Sequence, residues 1–165
     1  MGFRPLSADD STNDEPLRET TASAEGFPLQ LEFVSWYHKP RDAFVRIAEY
    51  LDPEGGEFSP GRTIVRTDPE TREGYYQVFS FSEKLEVAPL AVRVEFSYLL
   101  PDGGGEPVTK AFPLPENREG RELWIGLTGR QKPPPGLPVL AWRLRLLDDE
   151  AQLLLEADSY LWDAH

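Results

Sequence analysis

Cysteine is absent from this 165-residue sequence, and histidine occurs only twice. Without cysteine there is no disulfide framework, no thiolate zinc site and no cysteine nucleophile. His38 and His165 are too far apart in the chain to form a local motif such as H-x-x-H or H-E-x-x-H. Neither G-x-x-x-x-G-K-[ST] nor G-x-G-x-x-G occurs, so no phosphate cradle is written in the sequence. No serine stands in a G-x-S-x-G frame. No run approaches the ~18 apolar residues needed to cross a bilayer. The first ten residues hold no apolar stretch of the secretory kind and turn acidic at once. The expectation is a cytoplasmic chain with no membrane partner, no cofactor, no metal and no catalytic centre.

Positive charge is also scarce. Seventeen Lys and Arg stand against 29 Asp and Glu, for a formal net charge of -12. Nucleic acid binding draws its affinity from phosphate neutralisation by Lys and Arg, so nucleic acid is not an expected partner. Anionic lipid surfaces are disfavoured for the same reason. Such a charge keeps a protein soluble, and it also suits a basic partner.

What the sequence does hold is turn formers and aromatics. Sixteen prolines and 13 glycines punctuate a chain that is 39 % hydrophobic and 12 % aromatic. Residues 1–26 are rich in Ser, Thr, Asp and Glu, with six carboxylates against two arginines. Such a segment buries too little apolar surface to offset its ordering entropy, and it reads as a disordered acidic tail. Residues 27–165 read as one domain.

From Phe27 onward the apolar period is two. Leu29, Leu31, Phe33, Ser35 and Tyr37 alternate with Gln30, Glu32, Val34 and Trp36, the mark of a half-buried strand. Ala43–Leu51 fits both a strand and a helix; its shortness, its β-branched residues and the Asp52-Pro53-Glu54-Gly55-Gly56 that follows favour strand. Arg62–Thr67, Tyr75–Ser82 and Val92–Leu100 read as further strands. Pro101-Asp102-Gly103-Gly104-Gly105 then reads as a hairpin loop leading to a strand from Pro107 to Phe112. Leu123–Leu127 is a short apolar strand, and Lys132-Pro133-Pro134-Pro135-Gly136 a stiff connection. In the last hairpin Trp142, Leu144 and Leu146 alternate with Arg143 and Arg145, and the returning strand sets Glu156 and Asp158 opposite those arginines.

Eight or nine short strands of this rhythm predict an all-β antiparallel sandwich, with an eight-stranded β-barrel as the alternative. The rhythm is similar to that of immunoglobulin and fibronectin type III modules. The likeness is architectural and carries no function, since the Cys…Trp…Cys spacing of immunoglobulin domains is missing. Trp124 and Trp142 are expected in the core. Trp36 and Trp162, nearer strand ends, suit either the core or a contact surface. The candidate ligand or partner surface is Trp36, Tyr37, Tyr160, Trp162, Arg143 and Arg145. The function expected is a non-catalytic protein-interaction or structural module of a larger assembly. A carbohydrate- or small-ligand-binding module and an acidic immunity or decoy protein are the alternatives.

Overall fold

The structure, a computed structural model, describes residues 13–14, 20–40, 61–101, 105–134, 136, 138–159 and 161–162. Its strands in chain order are β1 (Asn13–Asp14), β2 (Ala22–Ser23), β3 (Leu31–Lys39), β4 (Arg62–Arg66), β5 (Gly74–Phe81), β6 (Arg93–Leu99), β7 (Val108–Pro113), β8 (Glu122–Thr128), β9 (Ala141–Leu147) and β10 (Leu153–Asp158). They form two five-stranded sheets, ordered β1-β3-β5-β8-β4 and β2-β10-β9-β6-β7. The architecture is a two-sheet sandwich, and neither described sheet closes into a barrel. β1 and β2 fall within the segment read above as a tail. Ala43–Leu51 lies outside the described residues, as does the tip of the glycine-rich loop.

The sandwich follows from the two-residue beat. Successive side chains of a strand point to opposite faces. Val94, Phe96 and Tyr98 of β6 therefore face inward with Trp142, Leu144 and Leu146 of β9, and all are buried. Tyr75, Phe79 and Phe81 of β5 meet them from the other sheet. Phe79 packs edge-on against both Phe96 and Trp142, at centroid distances of 5.9 and 5.1 Å.

β3 departs from the alternation read in its sequence. The register of its pairing with β5 shifts between Leu31 and Phe33. This irregularity reverses the faces: Leu31 points inward, but so do Val34 and Trp36, while Phe33 is left exposed. The strand thus buries apolar side chains on both sides of an irregular step that uniform alternation does not foresee.

β4 and β8 form the one parallel pair among the described strands. Threonine side chains clamp it at both ends. Thr63 Oγ1 donates to Glu119 O and accepts from Glu119 N. At the other end Thr67 Oγ1 and Thr128 N share a 2.8 Å bond, while Thr128 Oγ1 accepts from Asp68 N and donates to Asp68 O. The clamp works only if the strands start close together. A Cβ at Gly120 would lie 1.9 Å from Gly61 O, and the φ of +77° there is itself one that side chains disfavour.

One buried charge ties the loops at the far end. Arg118 is inserted beneath the segment that crosses from β5 to β6. Its Nε donates to Pro115 O at 2.9 Å, and its Nη1 donates to Ala88 O and Ala91 O. Burial pushes its guanidinium below the ordinary value, and the backbone carbonyls supply the compensating acceptors. Arg118→Ala would take this donor from the Pro115 and Ala91 carbonyls, while Ala88 O keeps its bond from Ala91 N, so it is expected to lower unfolding stability by about 3 kcal/mol in urea titration, with Arg118→Lys recovering part.

Burial also raises the Tyr98 phenol above its ordinary value of 10.0. The unfolded chain therefore loses this proton first as pH rises. Stability is expected to be intact below pH 10 on this account and to fall as pH climbs through the raised folded value. Tyr98→Phe should flatten that alkaline decline in a series of thermal melts.

Candidate functional site

The residues singled out by sequence do not converge on one surface. Trp36 faces inward, its ring stacked on Tyr75 at 5.8 Å and met edge-on by His38. Tyr37, its neighbour, lies on the opposite face of the same sheet. Trp162 lies on the other sheet's side, with the Arg143 guanidinium 5.1 Å above its ring. Arg143 pairs with Asp158 at 3.1 Å and Arg145 with Glu156 at 2.6 Å, in the register that the hairpin sequence implies. Tyr160 lies outside the described residues.

The outer face of the first sheet carries a second apolar cluster. Tyr76, Val78 and Trp124 are buried there, with Tyr37 and Ile64 packed against them. Tyr37 and Trp124 stack almost parallel at 5.4 Å. Trp124 is therefore a packing residue, as expected, but of this outer cluster and not of the inter-sheet core. Cations border it: Arg62 lies 4.4 Å above Trp124, Lys39 4.8 Å above Tyr37, and Arg66 donates to Tyr76 Oη at 2.6 Å. Gly126 makes room for this arrangement, because a Cβ there would meet the Tyr76 ring at 2.6 Å.

An open cavity of about 320 Å³ lies where β3 ends and β5 begins, lined by His38, Lys39, Pro40, Glu73, Gly74, Lys132 and Pro133. Its Lys132 is paired with Glu73 at 3.0 Å. Among the described residues no group of three or more His, Asp or Glu is placed to hold a metal ion. Nor is any described helix long and apolar enough to cross a membrane.

The feature that sequence reading missed is an exposed apolar connection at the opposite end. Leu90 is 69 % exposed, Val87 47 %, Leu153 40 % and Val92 38 %. Val87, Leu90 and Val92 follow one another on the crossing from β5 to β6. Leu153 is set apart from them: it pairs with Leu147, which lies opposite Arg93 on the outer face of the second sheet. The available signal was Val87-Ala88-Pro89-Leu90-Ala91-Val92, an apolar run in a connection where polar turn residues are usual. It fits neither strand alternation nor helical spacing, so it reads as nothing in particular.

The fold and surface together define a two-sheet β-sandwich with an apolar end. No protein-family model, no curated protein and no solved structure matches the chain.

The two ion pairs differ in burial, and this sets what each is worth. Asp158 is nearly buried beneath Arg143, whereas the Arg145 side chain is 41 % exposed. Double-mutant cycles by urea denaturation are expected to give the Arg145–Glu156 pair a coupling below about 1 kcal/mol, and the Arg143–Asp158 pair the larger coupling despite its longer distance.

Proposed function

We propose that this chain is a non-catalytic protein-interaction module of the cytoplasm, a subunit or accessory of a larger protein assembly. The single observation that carries the reading is the exposure of Val87, Leu90 and Val92 on the one connection that crosses this end of the sandwich. Isolated exposed apolar side chains are ordinary on any protein surface. Three within six residues of one connection are the kind of apolar surface that marks a contact with another protein. The net charge of -12 favours a protein partner over nucleic acid or an anionic lipid surface.

Capture experiments test this. The full chain, immobilised, should retain a specific protein from native lysate. The combined Val87→Asp, Leu90→Asp variant should lose at least about tenfold of that protein, as expected when more than ~1.4 kcal/mol of contact energy is removed. Its circular dichroism spectrum should match the parent's, because both side chains are substantially exposed. Equal retention by parent and folded variant, or no specific retention by either, would overturn the reading.

A further inference from the structure

We propose that β2 is a releasable guard strand: it occupies the edge of β10 and keeps that edge from pairing with the same edge of a second copy of this chain. β2 lies among residues whose composition reads as a disordered tail, yet its bonds are specific. Ala22 and Ser23 stand opposite Glu156 and Leu155. Thr21 N and Thr21 Oγ1 both donate to Glu156 O, at 2.9 and 2.8 Å, and Ala24 N donates to Leu154 O at 2.9 Å. Thr20 Oγ1 meanwhile accepts from Leu31 N at the start of β3. Adjacent threonines thus tie this segment to both sheets, one through β10 and one through β3. Further along β3, β1 pairs with Trp36 and Ser35.

A strand edge offers N–H and C=O groups to any extended chain, and proteins blunt it with proline, inward charge or a covering segment. The two sides of the second sheet use different means. β7 carries its own protection. Lys110 stands on the face it shares with Val108 and Phe112, which pack on the core, and Pro113 has no N–H to offer. β10 reads Leu-Leu-Leu-Glu-Ala-Asp, with neither lysine nor proline, and its cover is β2. Thr21, Ala22 and Ser23 are all exposed, so backbone bonds rather than burial hold this cover, and a segment with so little burial opens at low cost. Ala24 and Phe27 pack against the core and act as its hinge. The bared edge suits a second copy, because two identical edges pair antiparallel about a two-fold axis. The acids of β10 do not oppose this, since Glu156 and Asp158 are already matched by Arg145 and Arg143 of β9.

Sedimentation equilibrium on the full-length chain is the test. Thr21→Pro with Ala24→Pro removes two bonded N–H groups and the Thr21 hydroxyl, which frees β2 and leaves β3 to β10 unchanged. The self-association constant of this chain should exceed the parent's at least about tenfold, because the open edge is the minor state of the intact chain. Adding Glu156→Pro should return the parent's value. The N–H it removes points the same way as the carbonyl that serves Thr21, so the ladder to β9 is spared. Association unchanged by the release, or undiminished by Glu156→Pro, overturns the proposal. If circular dichroism shows the proline chain unfolded, Ala22→Cys with Glu156→Cys decides. The two positions are partners across the ladder, and the parent has no cysteine to confuse the pairing. Oxidation locks the guard in place, so the reduced form should associate about tenfold more strongly than the oxidised form at matched concentration. Equal association of the two forms overturns the proposal.

Discussion

The contact of Phe79 with Phe96 and Trp142 is the interaction on which the rest of the molecule depends. It is where the two sheets meet ring to ring, with edge-to-face geometry that suits the aromatic quadrupole. Each such pair adds roughly 0.5–1.5 kcal/mol beyond the apolar area it removes from water. Because the three rings lie on the central strands β5, β6 and β9, their positions fix how the sheets stack. Everything outward follows: the arginine ladder on β9 must face solvent, and the Tyr76–Trp124 cluster must lie on the far side of β5 and β8. With the sheets stacked this way, the connection between β5 and β6 has to cross over the end of the core, and there it presents Leu90.

Much of this architecture is legible in the sequence where polarity alternates strictly. β6 and β9 read correctly because Arg, Glu and Ser separate each pair of large apolar residues, and one face of a sheet must be covered. The arginines of β9 and the acids of β10 even disclose their register. β5 is less plain, since Tyr75 and Tyr76, or Val78 and Phe79, are apolar on both faces. Its alternation gives the two sides but not that the outer one is buried as well. β3 misleads because a residue inserted into a strand reverses every side chain beyond it, and nothing in Leu-Glu-Phe-Val marks the step. The parallel pairing of β4 with β8 is invisible for another reason. It depends on threonine hydroxyls bonding backbone groups some 60 residues away, and a threonine in a strand looks the same whatever it touches.

The candidate surface was legible only in part. Aromatic and arginine residues near strand ends drew the reading toward Trp36, Tyr37 and Arg143, and these side chains are engaged within the fold itself. Trp36 stacks on Tyr75, and Arg143 serves Asp158 and Trp162. The exposed end owes its character to Arg118, a single basic residue in a polar loop whose sequence reads as solvated. Only in three dimensions does that guanidinium meet the carbonyls on either side of Pro89–Leu90. A charge that looks like surface decoration in the sequence is what orders an apolar turn nearly thirty residues earlier.

The near contact of Gly61 with Gly120 carries a consequence for descent. A Cβ at position 120 would run into the Gly61 backbone, so that position cannot acquire a side chain without prising β4 from β8. Core residues can drift among Leu, Ile and Val as volume allows, and surface charges can drift more freely still. The glycine at position 120, opposite the one that opens β4, is shielded from both kinds of drift. In distant descendants of this chain, whose apolar and acidic residues have all been exchanged, that glycine with the strand-clamping threonines beside it would be the last trace of common ancestry.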